Sequence, residues 1–205
     1  MHNKFYIQSY CHIKNNQLRL NGDVIFEDRL NENLKDFLKS AYKSQTIKYS
    51  KFFKMDSLSK TSFLAAEIIL KNTTLENENS TIAIVFSNNA ASLDTDRKFQ
   101  ESINDVDNFY PSPAVFVYTL PNIGIGEISI RHQLKSENAF FVFENYNAGF
   151  HQNYENILLQ NNNSDAVLAG WVNVDGENYD AFVYMISKKG ILEHTKENLI
   201  KLYKE

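Results

Sequence analysis

Between residues 111 and 171 the hydrophobic and polar positions fall into four successive patterns, and the rest of the chain is placed around them. Pro121 suits a first helical turn, where its missing N–H costs nothing. Ile123, Gly126 with Glu127, Ile130 and Leu134 follow at helical spacing and predict a helix over about 120–133. Residues 138–143 are an unbroken run of β-favouring residues, too short for a helix, and predict an interior strand buried on both faces. Phe150, Tyr154, Ile157 and Leu158 recur at i, i+4, i+7 and i+8 until the asparagines at 161–163 end the pattern. A second helix over 146–160 follows, with that stripe inward and His151, Gln152, Asn153, Glu155 and Asn156 toward water. Residues 166–174 are again apolar and close at Gly176, which reads as a strand paired beside the first.

Upstream, residues 5–13 alternate as a half-buried or central strand with Cys11 on its more apolar side. Asn21-Gly22 is a turn signal between Leu18-Arg19-Leu20 and Val24-Ile25-Phe26, which predicts a small hairpin. Leu30, Leu34, Phe37 and Leu38 sit at helical spacing. Asp56 precedes a helix whose stripe is Leu58, Ser62, Ala65 and Ile69. Residues 81–86 predict a strand, and Ser92 caps a helix with Asp94 and Asp96 in its first turn and Phe99 and Ile103 inward. A last strand at 181–186 and a terminal helix around Leu199, Ile200, Leu202 and Tyr203 complete the chain.

With 205 residues, 43% of them hydrophobic, the chain can build one core without staples, so a single domain over 1–205 is expected. A net charge of −4 offers no basic field, which argues against nucleic acid or an anionic membrane as partner. Residues 1–15 contain no apolar signal-type run and nothing later approaches a membrane span, so a cytoplasmic location is expected. Cys11 is the single cysteine, which rules out an internal disulfide and a cysteine zinc site. As a small buried residue in a first strand, with no helix N-terminus or basic cluster beside it, Cys11 reads as core rather than as a reactive thiol.

Ser112, Pro113, Phe116, Asn122, Gly126, Ile128 and Ile130, then the strand, then Asp165, Ala166, Ala169 and Gly170, resemble the amino-terminal half of β-ketoacyl synthases of the thiolase superfamily. The resemblance covers roughly residues 50–175. It implies an α/β protein, a thiolase-like half-fold with a mixed sheet of about five to seven strands and helices on its faces. In that family a cysteine nucleophile stands at the strand-to-helix elbow. Here the position falls on Asn145, or with a one-residue slip on Glu144 or Tyr146, and none is a cysteine. The asparagines at 88 and 89 also replace a glycine-rich loop of the family, and the second half with its catalytic histidines and lysine has no counterpart.

The resemblance therefore implies a non-catalytic subunit. It would partner a ketosynthase or an acyl carrier protein in fatty acid or polyketide-type biosynthesis, as in aryl polyene or flexirubin pathways. It also implies a homodimer, or a heterodimer with a ketosynthase, with Asn138, Phe140, Phe141, Val142 and Phe143 at the contact. An amide at residue 145 can donate a hydrogen bond but cannot act as an acyl-accepting nucleophile. The alternative is a stand-alone acyl-binding protein or acyltransferase using Glu144 and His151, which stand seven apart. Those two residues read as a solvated or capping pair, a polar contact with a partner, or a catalytic dyad. No cofactor is implied, and His12, His132, His151 and His194 show no metal-ligand spacing.

Overall fold

Strand β1 (Tyr6–Lys14) opens the sheet and is joined to β2 (Gln17–Leu20) and β3 (Asp23–Glu27) in an antiparallel ribbon. The turn between β2 and β3 is the expected Asn21-Gly22 pair, both at positive φ (52° and 91°), as a tight primed turn requires. The computed structural model describes residues 4–30, 33–73, 75, 80–105, 107 and 109–205. Helix α1 (Leu34–Ser44), a 3₁₀ turn (Ser50–Lys54) and α2 (Ser57–Lys71) lead to β4 (Ile82–Asn88). Then come α3 (Leu93–Glu101), α4 (Pro113–Val117), α5 (Ile123–His132) and β5 (Asn138–Val142). The chain continues through α6 (Ala148–Gln160), β6 (Ala166–Asp175), β7 (Asn178–Ser187), β8 (Leu192–Glu193) and α7 (Lys196–Lys204).

The eight strands among the described residues make one mixed sheet in the order β3-β2-β1-β7-β6-β4-β5, with β8 paired to β1. β4 is parallel to both β5 and β6, whereas β6 and β7 run antiparallel. The strand at 138–143 was expected in the interior, beside the strand at 166–174. It instead ends the sheet, and β4 lies between the two. Its exposure agrees with that place, since Asn138 and Val142 are exposed and the phenylalanines only half-buried. A short apolar run carries no record of whether its neighbours lie on one side or both, so periodicity alone could not separate these cases.

Two cores sandwich the sheet. On one side α1, α2 and α5 bury Phe37, Phe52, Phe63, Ile69 and Ile128 against Cys11, Leu168 and Val183. On the other, α6 and α7 cover Val85, Val167, Phe182, Tyr184 and Ile186. The helix expected at 120–133 forms as α5, but its inward face is Gly124, Ile125, Glu127 and Ile128, one position removed from the expected stripe. Ile130 is 64% exposed. Gly124 sets this rotation, because a Cβ there would meet the Ser59 Cα at 3.3 Å, so the bare backbone lets α5 close on α2, whereas Gly126 faces open space. No helix among the described residues is long and apolar enough to cross a membrane.

Candidate functional site

β5 runs out of the sheet at Val142, and residues 143–147 make the elbow into α6. Asn147 caps the helix by accepting from the Phe150 N–H at 3.0 Å. The elbow is tied to the adjacent loop, where the Asn89 side-chain amide donates to the Glu144 carbonyl at 2.9 Å and the Phe143 N–H to the Asn88 carbonyl at 2.9 Å. Glu144 and Asn145 stand exposed at the lip of a depression of about 380 Å³ that Tyr146, Ala148 and Gly149 line from one side and Lys196 and Ile200 of α7 from the other. Asn145 therefore opens onto a pocket at the position where the family resemblance places a nucleophile.

Under this elbow lies a polar network that the sequence pattern did not anticipate. Ser87, on β4, has its Oγ 2.7 Å from His151 Nε2, and His151 Nδ1 is 2.7 Å from Glu155 Oε1. The Tyr184 hydroxyl of β7 donates to both Glu155 oxygens at 3.0 and 3.1 Å, and Tyr146 and Tyr184 place their hydroxyls 3.3 Å apart. His194, from the loop before α7, brings Nε2 to 2.9 Å from Glu155 Oε2. That contact is close enough for charge pairing but out of line for a hydrogen bond. Its other nitrogen is 3.0 Å from Asn156 Oδ1. Ser87, His151 and Glu155 are all 0% exposed.

Burial pushes the Glu155 carboxyl up, but the contacts with His151 and His194 outweigh it and hold the group below the usual glutamate range. An ionised Glu155 fixes the tautomer of His151: Nδ1 donates to the carboxylate and Nε2 accepts from the Ser87 hydroxyl. Tyr146 and Tyr184 are pushed well above the ordinary tyrosine value, by burial first and by the Glu155 carboxylate second. The order Ser–His–Glu is that of an acyl-transfer triad. With all three side chains sealed under Tyr146 and α6, however, no carbonyl substrate reaches Ser87 in this conformation. What the array does chemically is satisfy polar groups that α6 carries into the core.

These contacts also turn α6 by about one residue from its expected orientation. Its buried residues are Ala148, His151, Glu155, Leu158 and Leu159, while Ile157 is 52% exposed. Phe150 and Tyr154 turn sideways onto Phe141 and Phe143 at the sheet edge, with ring centroids 4.6 to 5.2 Å apart. The polar stripe can face inward because Ser87, Tyr184 and His194 supply its partners. Glu144 and His151 are not brought together: Glu144 is exposed, and both ring nitrogens of His151 are taken by Ser87 and Glu155. Cys11 lies wholly buried in β1, where burial pushes its thiol far up, so it supplies no thiolate. Among the described residues there is no group of three His, Cys, Asp or Glu side chains that could hold a metal ion. In the network itself, Glu155 already fills the space between the two imidazoles.

No protein-family model matches the sequence, and no curated protein matches it. Solved structures do. The ishigamide ketosynthase/chain length factor superposes with a TM-score of 0.63 at 12% identity, over 90% of this chain and 62% of that one. A ketosynthase in complex with its chain length factor, from Xenorhabdus doucetiae, gives 0.62 at 11% identity, over 98% of this chain and 90% of that one. A β-ketoacyl synthase from Burkholderia phymatum gives 0.59 at 10% identity, over 91% and 59%. The fold is that of the β-ketoacyl synthases. This thiolase-like architecture is the expected α/β mixed sheet with helices on both faces. Among the described residues the sheet has eight strands, the β2–β3 hairpin and the two-residue β8 adding to the expected main sheet. The chain spans about three fifths of the ishigamide and Burkholderia proteins. Within the thiolase-like frame the elbow residues 144–146 remain without a thiol.

Proposed function

We propose that the protein is a non-catalytic β-ketoacyl-synthase-like subunit. It would assemble with a ketosynthase, or with a second copy of itself, and serve an acyl carrier protein in a fatty acid or polyketide-type pathway of the aryl polyene or flexirubin kind, in the cytoplasm. The observation that carries this reading is Asn145, exposed at the mouth of the elbow pocket where a condensing enzyme needs a thiolate. An amide there can hold a carbonyl oxygen but cannot form a thioester.

The partner is supported by the sheet edge. Among the described residues β5 pairs with β4 on one side only, and it offers Phe140, Phe141, Val142 and Phe143 with no charged residue among them. Val142 is 55% exposed, and α4 buries none of its own residues, with Phe116 and Val117 both exposed. An uncharged, apolar edge strand left open would be an aggregation liability. Two of the similar solved structures are themselves assemblies, a ketosynthase with its chain length factor and a ketosynthase with its acyl-carrier protein.

Co-expression with a ketosynthase encoded beside it, followed by size-exclusion chromatography with light scattering, tests the assembly. Wild type should elute as a dimer or heterodimer and Val142→Lys as a folded monomer. A monomeric wild type that binds no ketosynthase would overturn the partner role. Incubation with acyl-loaded carrier protein and mass spectrometry should detect no acyl adduct, and a stable adduct at any residue would overturn the non-catalytic reading.

A further inference from the structure

The chain is acidic overall, with a net charge of −4, yet four lysines converge on one pocket of about 330 Å³. It opens between α1, the 3₁₀ turn and the start of α2 on one side and α3 and α4 on the other, with Lys35, Lys54, Lys60 and Lys98 at its rim. Lys98 is held by Asp94 one turn before it, at 2.6 Å. The Asp56 carboxylate is engaged by the Ser59 N–H at 2.8 Å and by the Thr95 hydroxyl at 2.7 Å. Among the described residues no carboxylate forms an ion pair with Lys35, Lys54 or Lys60. Lys60 feels the crowding: burial pushes its ammonium down, Asp56 works against this, and Lys35 and Lys98 push it down again. The pocket floor is apolar, formed by the buried Met55, by Val115 and by the ring of Tyr118.

We propose that this pocket binds an organic phosphate, its dianionic head held among Lys35, Lys54 and Lys60 and its apolar body lying on Val115 and Tyr118. Charge selects the head group. Four ammonium groups set against Asp56 and Asp94 leave a surplus that a phosphate dianion neutralises and a single carboxylate does not. Lysines suit a phosphate because each acts as a mobile point charge and none demands the planar, two-pronged geometry of a carboxylate–arginine pair. The volume is that of a small ligand, and polar rim groups around an apolar floor are the usual make-up of such a site. The inference is independent of the ketosynthase-like reading, since it uses the opposite side of the sheet from the elbow pocket.

The test is an NMR titration of the full chain at low salt with phenyl phosphate, inorganic phosphate and benzoate. Phenyl phosphate should give saturable shifts at the amides of Thr95, Ala114, Val115 and Tyr118. It should bind roughly fivefold or more tightly than either other probe, because only it combines dianion and apolar body. Lys35→Gln with Lys60→Gln should weaken it about tenfold or more, and Val115→Asp should do the same while leaving the lysines in place. All three substitutions fall on exposed or half-buried side chains, and unchanged thermal melting confirms the fold. Non-saturating shifts spread over other lysines would overturn the proposal. So would equal affinity for inorganic phosphate or benzoate, or unchanged binding by the variants.

Discussion

His151 and Glu155, one turn apart on α6, meet at 2.7 Å with neither side chain exposed, and the pair faces the sheet instead of solvent. The helix is therefore seated by a satisfied polar network as much as by its leucines. Glu155→Ala removes the charged acceptor that His151 and Tyr184 share and should cost about 3–5 kcal/mol, since each buried hydrogen bond to a charged group contributes about 1.5–3 kcal/mol. Ser87→Ala loses a single hydrogen bond and should cost about 1 kcal/mol. Urea unfolding of both variants checks this. Equal, small losses would mean that the network does not hold the helix.

The rotation of α6 is testable by alanine scanning. Leu158 is 3% exposed and Ile157 52%. Leu158→Ala should destabilise by about 2–5 kcal/mol, whereas Ile157→Ala should cost less than about 1 kcal/mol. The reverse ranking would restore the stripe that the sequence periodicity suggests.

Acid sensitivity should come in part from His12. It is 1% exposed, stacked on Phe182 with ring centroids 5.0 Å apart, and burial with the nearby Lys14 lowers its pKa to about 4. An unfolded histidine titrates near 6.5, so the unfolded chain takes up a proton that the folded chain refuses. Stability should therefore fall as the pH drops from about 6.5 to about 4, by roughly 3 kcal/mol from this residue. His12→Phe should flatten that part of the stability–pH curve measured by urea unfolding, and an unchanged slope would assign the acid loss elsewhere.

Gly170 sits in β6 at φ +151°, and a Cβ there would lie 2.1 Å from the Phe182 carbonyl oxygen of β7. Gly170→Ala must push the two central strands apart, so its cost should exceed about 4 kcal/mol, beyond the ordinary range for a point substitution. Loss of the soluble fold, or a melting temperature lowered by tens of degrees, is the expected result on expression. A variant that melts like wild type would show that the strands can part without cost.

The sequence carries the element order well where periodicity is unambiguous. The Asn21-Gly22 hairpin, the helix after Asp56 and the strands at 81–86, 166–174 and 181–186 all stand where the pattern puts them. Facing directions were less legible. Both α5 and α6 turn by about one residue, in the first case because Gly124 admits Ser59, in the second because His151 and Glu155 find partners inside. Hydrophobicity counts these as polar positions and sends them outward, whereas a buried polar residue is decided by distant side chains that no local window contains. His151 and Glu155 at i, i+4 were the visible half of the network. Ser87, Tyr184 and His194 come from other strands and loops, and nothing in their neighbourhoods marks them.

β1 pairs with β7 along nearly its whole length, so that Ile13 faces Ala181 and Tyr6 faces Ser187. β1 thus takes its main neighbour from far along the sequence, with α1 through β6 between them. During synthesis the β1–β2–β3 ribbon must wait with one edge open while α1 through β6 are made, and that edge closes only when β7 arrives. Such long-range closure slows folding and lengthens the time an apolar edge is exposed. The protein should therefore refold slowly and depend on holding factors at high concentration, even though its native state is well packed.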